Sequence, residues 1–277
     1  MVTLLCPVRG CRRPLARQGR RLICLRRHSF DVARSGYVNL LQVQDRRSAR
    51  PGDAAEILRA RRRFLARGFE TPLVDALTDL VSLTPRDAAL EVGCGEGDYL
   101  AAVAGRSGCV GHGLDISTDA IDAAARRYPH LHWIVGNGDR VLPYADASFA
   151  LVLSVTGRRN AGEFRRVLAA AGRLLVVVPG PDDLIELRAA VLGEGVARDR
   201  VEAALAALAP LFALERRQRL RHVVRLDAAD ARDVMAGTYR ALRASRRARL
   251  TALGELDVTL SRDALLFRPA GRRGGGG

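Results

Sequence analysis

Four residues near the start of the sequence have the types and spacing of metal ligands. They are Cys6, Cys11, Cys24 and His28. Three residues separate Cys24 from His28, as is common for zinc ligands, and the 12 residues between Cys11 and Cys24 suit a small hairpin or knuckle. The four residues between Cys6 and Cys11 make a looser spacing than is usual. We interpret the four as a structural zinc site, because four protein ligands leave no open position for catalysis; two unrelated pairs of buried thiols are the alternative.

A glycine-rich stretch in the middle of the chain is the second group of residues that could do chemistry. Residues 89–100 read A-L-E-V-G-C-G-E-G-D-Y-L, which predicts an apolar strand, a tight turn and then a helix. The turn residues Gly93, Gly95 and Gly97 would let backbone amides approach a ligand at the N-terminus of the helix. Many α/β proteins turn with glycine, so the pattern alone is a weak signal.

Asp115 strengthens this interpretation through its distance from the glycines. It follows a second apolar run, residues 109–116, and lies 24 residues after Glu91. A strand, turn, helix and second strand of this length would place the carboxylate where it can accept hydrogen bonds from ribose hydroxyls. The sequence therefore predicts a cofactor that contains a ribose.

Strands and helices alternate around the glycine-rich stretch. Helices are predicted from Asp53 to Arg67 and from Leu73 to Leu83, where apolar residues recur at helical spacing. Apolar runs predict further strands at residues 131–135, 149–155 and 174–178. Asn137, in the turn after the first of these, is placed to contact an adenine. This order predicts an α/β fold with a doubly wound sheet and its ligand at the carboxyl ends of the strands.

The last third of the sequence predicts an antiparallel edge for this sheet. Residues 211–226 and 256–267 alternate apolar and polar side chains as strands do, and residues 228–243 and 245–253 favour helices. Residues 271–277 contain four successive glycines and are expected to form a disordered tail. Near the other end, residues 30–41 are expected to pack against the zinc module.

The positive charge of the chain is concentrated at its two ends. The net charge is +15, and all 45 basic residues are arginine. Residues 1–70 carry +12, residues 71–185 carry −4 and residues 186–277 carry +7. Such a distribution is expected of a catalytic core that basic flanks hold against a polyanion such as RNA; a solvated basic surface is the alternative.

Composition also bears on location. No apolar run approaches the length of about 18 residues that a membrane span needs, and the first residues lack the apolar segment of a signal peptide. The five cysteines are an odd number, which argues against a framework of disulfides. We therefore expect a cytoplasmic protein without a membrane partner.

Several motifs, taken together and in order, resemble one family of enzymes. After the zinc quartet come H-S-F-D-V-A-R-S-G-Y-V-N-L-L, P-G-D-A-A-E, A-R-R-R-F-L-A-R-G, L-E-V-G-C-G-E-G, G-L-D-I-S and V-P-G-P-D-D-L-I-E-L. The chain is similar in these motifs, over almost its whole length, to the 23S rRNA (guanine-N1)-methyltransferases. The resemblance implies a Rossmann-like class I S-adenosylmethionine methyltransferase domain with a small N-terminal zinc-binding module.

The resemblance also implies site residues. The zinc quartet falls on the ligands of the family, Gly93, Gly95, Glu96 and Gly97 fall on its S-adenosylmethionine loop, and Asp115 falls on its ribose carboxylate. Glu70 and Asp183 fall where relatives can place an aromatic residue and a histidine near the cofactor, so at these two positions the chain departs from the pattern. The predicted cofactor contacts are thus Glu70, Gly93, Gly95, Glu96, Gly97, Asp115, Asn137 and Asp183.

The implied function is transfer of a methyl group from S-adenosylmethionine to N1 of a guanine in a domain II hairpin of 23S rRNA. An arginine-only sequence is typical of a GC-rich genome, which favours the guanine-748 branch, associated with resistance to tylosin-type macrolides. The guanine-745 housekeeping branch is the alternative. So are the same fold acting on a small molecule or on another RNA base, and a non-catalytic RNA-binding protein that protects ribosomes. Relatives imply a homodimer.

The predicted organisation has four parts. Residues 1–45 are a zinc-binding RNA-recognition module, residues 46–84 a basic loop with connecting helices, residues 85–270 the methyltransferase domain and residues 271–277 the tail. Guanine N1 carries a proton at neutral pH, so its methylation needs a base or a negatively polarised surrounding. The sequence identifies no catalytic residue. Tyr37, Phe69 and Tyr144 are each interpreted as core residues, and stacking on the target base is the alternative for each.

Overall fold

The first strands of the chain form a small antiparallel sheet. The computed structural model describes residues 2–45, 52–53, 55–193, 195–238 and 244–271. Strands β1 (Leu15–Gln18), β2 (Arg21–Cys24) and β3 (Ser29–Asp31) pair in that order. Gly19, at a φ of 58°, supplies the positive φ that the two-residue turn between β1 and β2 requires. The predicted hairpin between Cys11 and Cys24 is therefore confirmed.

An eight-stranded sheet forms the core of the rest of the chain. Its strands are β4 (Val38–Asn39), β5 (Ala88–Val92), β6 (Val110–Asp115), β7 (His132–Val135), β8 (Phe149–Val155), β9 (Leu168–Pro179), β10 (Phe212–Leu226) and β11 (Leu256–Pro269). Across the sheet they lie in the order β10, β11, β9, β8, β5, β6, β7, β4. The strands from β9 to β4 are parallel, and β11 and β10 add an antiparallel edge. The predicted doubly wound sheet is confirmed.

Helices cover both faces of this sheet. They are α1 (Ala55–Ala66), α2 (Thr71–Asp79), α3 (Asp98–Ser107), α4 (Thr118–Arg127), α5 (Ala161–Val167), α6 (Ile185–Leu192), α7 (Val201–Leu208), α8 (Ala228–Thr238) and α9 (Ala244–Thr251). α2, α3 and α4 pack on one face, whereas α5, α7 and the zinc module pack on the other. α1, α6, α8 and α9 bury a third cluster against β10 and β11. Among the described helices, none has both the length and the apolar composition that crossing a bilayer requires.

Some predicted boundaries are wrong for physical reasons. The helix predicted to reach Leu83 ends at Asp79, although Leu80 stays buried and Val81 and Leu83 still pack against the same core. The apolar spacing of these three residues therefore indicates that they are buried, and not that the helix continues. Strand β9 begins at Leu168 instead of Leu174, and β10 is one strand with an irregularity between Leu214 and Arg216. Residues 239–243 of one predicted helix and 272–277 of the predicted tail lie outside the described residues.

Strand β4 connects the zinc module to the large sheet. Val38 pairs with Ile134 and Asn39 with Val135, so this short strand extends the parallel sheet beyond β7. The module also contacts the segment between β7 and β8 through a bridge between Leu4 and Tyr144. The sequence predicts that residues 30–41 pack against the zinc module. They reach further, because the two-residue strand completes the sheet edge.

Candidate active site and metal centre

The four predicted metal ligands lie together at one end of the small sheet. Their ligand atoms are all within 4.8 Å of one another. The Cys11 and Cys24 sulfurs are 3.8 Å apart, and His28 Nδ1 lies 3.3 Å from the Cys6 sulfur and 3.5 Å from the Cys24 sulfur. Turns with positive φ at Gly10 and Arg27 bring each neighbouring pair together.

These distances fit a tetrahedral zinc ion. With Zn–S bonds of about 2.3 Å and Zn–N bonds of about 2.0–2.1 Å, a tetrahedron places two sulfurs about 3.8 Å apart and a sulfur and a nitrogen about 3.6 Å apart. The Cys11–Cys24 and Cys24–His28 separations agree with these values, and the Cys6–His28 separation is about 0.3 Å shorter. Three thiolates and one imidazole fill the coordination sphere, so the centre can hold zinc for folding and offers no open position for a substrate.

The glycine-rich loop leaves the carboxyl end of β5 and enters α3. Gly93, Gly95 and Gly97 have φ values of 77°, 55° and 81°, which side chains rarely adopt. Space is a second constraint at Gly97, because a Cβ there would collide with the ring of Trp133. The predicted turn is confirmed, and its shape depends on glycine at these positions.

Asp115 holds the glycine loop from the end of the neighbouring strand β6. Its Oδ2 accepts a hydrogen bond from the amide of Gly95 at 2.9 Å, and its Oδ1 accepts one from the amide of Ser117 at 2.8 Å. Burial raises the pKa of the carboxyl above its usual value, against these two hydrogen bonds, which lower it. The structure thus places Asp115 beside the loop, as the sequence predicts.

Glu96 and Asn137 make contacts within the chain. The Glu96 carboxylate receives two hydrogen bonds from Arg62 of α1, at 2.8 and 2.7 Å. The Asn137 amide, after β7, donates to the carbonyl of Asp45 at 2.9 Å and accepts from the amide of Asp139 at 3.0 Å. Both residues lie at the expected edge of the sheet, and their contact with a cofactor stays a prediction.

Glu91 and Arg61 lie behind the glycine loop. Glu91 is buried on β5 and accepts a hydrogen bond from the amide of Leu100 at 3.0 Å. Burial raises its pKa to about 8, although the Arg61 charge lowers it. Arg61, on α1, also lies over the Tyr99 ring, with its guanidinium carbon 5.9 Å from the ring centre. This pair brings α1 close to the loop.

A cavity of about 250 Å³ opens beside the loop. Its walls come from α1, α3, α8 and the ends of β8 and β9, and Arg61, Tyr99 and Thr156 are among its lining residues. Thr156 directly follows β8 and has a φ of 53°, a conformation that is unusual for a β-branched residue. Gly157, the next residue, lies close to the loop, because a Cβ on Gly93 would come 3.8 Å from its Cα.

Glu70 and Asp183 line this cavity and share Arg262 as an ion-pair partner. Arg262 Nη2 donates to Glu70 Oε1 at 2.8 Å, and Arg262 Nη1 donates to Asp183 Oδ1, which also accepts from the amide of Ser261. The sequence predicts Glu70 and Asp183 as site residues, but it does not predict Arg262. The only signal in the sequence is an arginine next to Asp263 within the predicted strand of residues 256–267.

The structure decides one of the three stacking candidates. Tyr144 is fully buried, and its ring packs edge-on against His112 and Phe149. It belongs to the core, as predicted, and the alternative of a base-stacking role is wrong for Tyr144. Tyr37 and Phe69 are partly buried.

Two family profiles match separate parts of the chain. A zinc-ribbon profile described as "RlmA, N-terminal" matches residues 4–49, and a profile described as "Methyltransferase domain" matches residues 89–177. The first covers the four metal ligands, and the second covers the glycine loop and Asp115. Both matches agree with the two centres that the geometry defines.

Three relatives are similar to the chain over most of its length. The 23S rRNA (guanine(748)-N(1))-methyltransferase of Streptomyces fradiae is 38% identical over 230 residues, which are 81% of this chain and 80% of that protein. Two proteins provisionally named as 23S rRNA (guanine-N(1)-)-methyltransferases follow. That of Micromonospora griseorubida is 40% identical over 66% of this chain and 68% of its own, and YxjB of Bacillus subtilis is 39% identical over 62% and 63%.

A solved structure shares the fold of the large sheet. It is a provisionally assigned methyltransferase of Bacillus halodurans, which superposes with a TM-score of 0.53 at 15% identity and covers 70% of this chain and 97% of its own. At that identity the likeness shows the fold alone.

Proposed function

The chain belongs to the 23S rRNA (guanine-N1)-methyltransferase family, and on that premise we propose that it methylates N1 of guanine 748 in a domain II hairpin of the large-subunit RNA. The chain is an S-adenosylmethionine-dependent methyltransferase with a structural zinc site. The choice of position 748 is supported by the Streptomyces fradiae relative, whose name states that position and of which the chain covers 80%. Modification of guanine 745 is the second candidate.

The cofactor is proposed to lie across the carboxyl ends of β5, β6 and β7. Backbone amides of Gly93, Gly95 and Gly97 would approach it at the N-terminus of α3, and Asp115 would accept hydrogen bonds from its ribose. Both Asp115 oxygens already accept one amide, and each carboxylate oxygen has room for a second donor. Asn137 is proposed to contact the adenine of the cofactor. Glu96, which belongs to the glycine loop, is also proposed to contact the cofactor.

The methyl group is already activated when the cofactor binds, because it is carried on a positively charged sulfur. The protein must then place guanine N1 in line with the carbon–sulfur bond and help remove the N1 proton. Correct placement of two reactants can contribute about 7–11 kcal/mol to lowering a barrier. The cavity beside the glycine loop provides the space for this alignment, and Glu70 is proposed to contact the cofactor from its wall.

The zinc module is proposed to bind the RNA hairpin. Nine of its arginines are exposed, and the described part of the module contains only Asp31 and Asp45 as acidic residues. The arginines are Arg9, Arg12, Arg13, Arg17, Arg20, Arg21, Arg26, Arg27 and Arg34. A surface of this charge suits phosphate contacts, which set affinity without reading sequence. A homodimer, with two chains framing the RNA, is proposed from the resemblance, and sedimentation with and without RNA tests it.

Primer extension tests the proposed target. Purified protein would be incubated with S-adenosylmethionine and unmodified 23S rRNA, and reverse transcription would then be mapped through the domain II hairpin. A methyl group on N1 blocks the Watson–Crick edge, so a stop at guanine 748 is expected. A stop at guanine 745 would assign the chain to the other branch. No stop despite binding of RNA and cofactor would overturn the proposed chemistry.

Resistance to tylosin-type macrolides is the proposed biological role. Expression in a macrolide-sensitive host should raise the tylosin concentration that inhibits growth, and a variant with Asp115 replaced by alanine should not raise it. Equal inhibition of both strains, with guanine 748 methylated only by the unchanged chain, would separate the modification from resistance.

A further inference from the structure

Three paired charges, Glu70, Asp183 and Arg262, lie in the wall of the cavity. Arg262, on β11, donates hydrogen bonds to two carboxylates. One is Glu70, which directly precedes α2, and the other is Asp183, in the loop after β9. Only 13% of the Arg262 side chain is exposed, with 8% for Glu70 and 11% for Asp183. Holding three ions out of water is unfavourable unless they are well paired, so such clusters are frequently found where they serve a function.

The order of strands decides which reactant Asp183 faces. The proposed cofactor contacts follow β5, β6 and β7, whereas Asp183 follows β9, which lies beyond β8 on the opposite side of β5. Neighbouring strands are about 4.8 Å apart, so the end of β9 lies about 10 Å across the sheet from the glycine loop. Thr156, after β8, lies between them and lines the same cavity. On this order of strands the loop is the donor end of the cavity and Asp183 lies toward the acceptor end, so it would face the guanine instead of making the cofactor contact that the resemblance implies.

We propose that this cavity receives the target guanine and that the Asp183 carboxylate binds its N1–H edge and accepts the N1 proton. The inference rests on the proposed function and adds a catalytic residue to it. Oδ1 of Asp183 already accepts from Arg262 and from the Ser261 amide, so Oδ2 is the oxygen that would accept the guanine N1–H. Adenine presents an acceptor at N1, so the same carboxylate disfavours it.

The proton and electron pairs balance in a single displacement. The N1–H bond breaks and its proton moves to an Asp183 oxygen, while the N1 electron pair forms the bond to the methyl carbon. The carbon–sulfur bond breaks with its pair on sulfur, which leaves a neutral thioether. Asp183 then releases the proton to water.

Arg262 is the positioning residue for this step. Its charge keeps Asp183 ionised although Glu70, a like charge, is held on the same guanidinium. Burial nevertheless leaves the pKa of Asp183 raised, which makes the carboxylate a stronger base. The other ionisable side chains that line the cavity are Arg61, Tyr99, Arg200 and Asp233. Burial raises the pKa of Tyr99, so its phenol stays neutral.

A single-turnover experiment tests the assignment with a matched control in the same loop. The methylation rate of 23S rRNA and the affinity for S-adenosylmethionine without RNA would be measured for Asp183→Asn and Asp182→Asn. Asp182 is the adjacent carboxylate, and it pairs with Arg221 at 2.6 Å on the outside of the cluster. We expect Asp183→Asn to slow methylation by about 100-fold or more with cofactor affinity retained, and Asp182→Asn to change neither.

Two results would overturn the assignment. One is an Asp183→Asn variant that methylates at the unchanged rate, and the other is a loss of cofactor affinity that accounts for the loss of rate, which would make Asp183 a cofactor contact. Arg262→Lys provides a test that does not require the Asp183 variant to fold. Weaker pairing should raise the pKa of Asp183, so the acid side of the pH–rate profile should move to higher pH, and an unmoved profile would remove the positioning role. Failure of the unchanged protein to methylate would instead contradict the proposed function.

Discussion

At the scale of single residues, Asp115 combines two tasks in one carboxylate. It fixes the glycine loop through the Gly95 amide and is proposed to bind the cofactor ribose. Replacing it by alanine should weaken S-adenosylmethionine binding by about 10- to 100-fold, because hydrogen bonds to a charged group contribute about 1.5–3 kcal/mol each. Calorimetry measures this loss. Asp119→Ala, at an exposed position in the first turn of α4, is the control. Unchanged affinity for S-adenosylmethionine in the Asp115 variant would contradict the proposed cofactor site.

Glu91 should make stability depend on pH. Its pKa is 4.5 in an unfolded chain and about 8 in the buried site, so between these values the folded protein binds more protons than the unfolded one. The free energy of unfolding should therefore fall as the pH rises from about 5 to 8, by at most about 1.4 kcal/mol for each pH unit crossed. Glu91→Gln should lose this dependence, so the variant gains stability relative to the unchanged protein between the two pH values. Urea unfolding at both pH values measures the difference, and parallel curves for the two proteins would contradict it.

At the scale of elements, the sequence predicts what is continuous along the chain. Strands such as Phe149–Val155 are apolar runs bounded by turns, and the metal ligands and glycine loop are each contained in short segments. Strand β4 is different, because two residues are too few to show the alternation of apolar and polar side chains that predicts a strand. They form a strand only by pairing with β7. The cluster of Glu70, Asp183 and Arg262 was equally out of reach, since its members come from distant segments that only the folded sheet brings together.

The zinc module provides a prediction for one element. Cys24→Ser should lower the zinc content and make the amides of residues 2–45 exchange quickly with solvent, because metal binding supplies much of the stability of so small a module. The sheet keeps its pairing from β10 to β7, so the affinity for S-adenosylmethionine should change by less than about threefold. Cys109→Ala, distant from the metal ligands in the sequence, is the control. Full zinc content in the Cys24 variant would contradict the four-ligand site.

At the scale of the whole molecule, charge should govern RNA affinity. If the exposed arginines of the module neutralise phosphates, affinity for the RNA hairpin falls with salt, with a slope of about −0.7 to −0.9 for each phosphate contacted. Replacing Arg13 and Arg17 by glutamine should then make that slope shallower by about 1.5. The same change at Arg86 and Arg106, exposed in the acidic middle segment, should leave it unchanged. Equal slopes for both variants would place the RNA elsewhere on the protein.

The position of β11 has a consequence for how the molecule comes into being. This strand is inserted between β10 and β9, yet it is synthesised after every other strand of the sheet. The metal hairpin can close as soon as His28 has left the ribosome, whereas the ion pairs of Glu70 and Asp183 require Arg262, which is synthesised later. Until that arginine is synthesised, Glu70 and Asp183 lack the guanidinium that pairs with both of them in the folded site. A chain whose translation stops before β11 would therefore have a zinc-bound module attached to a methyltransferase domain that lacks one strand of its sheet.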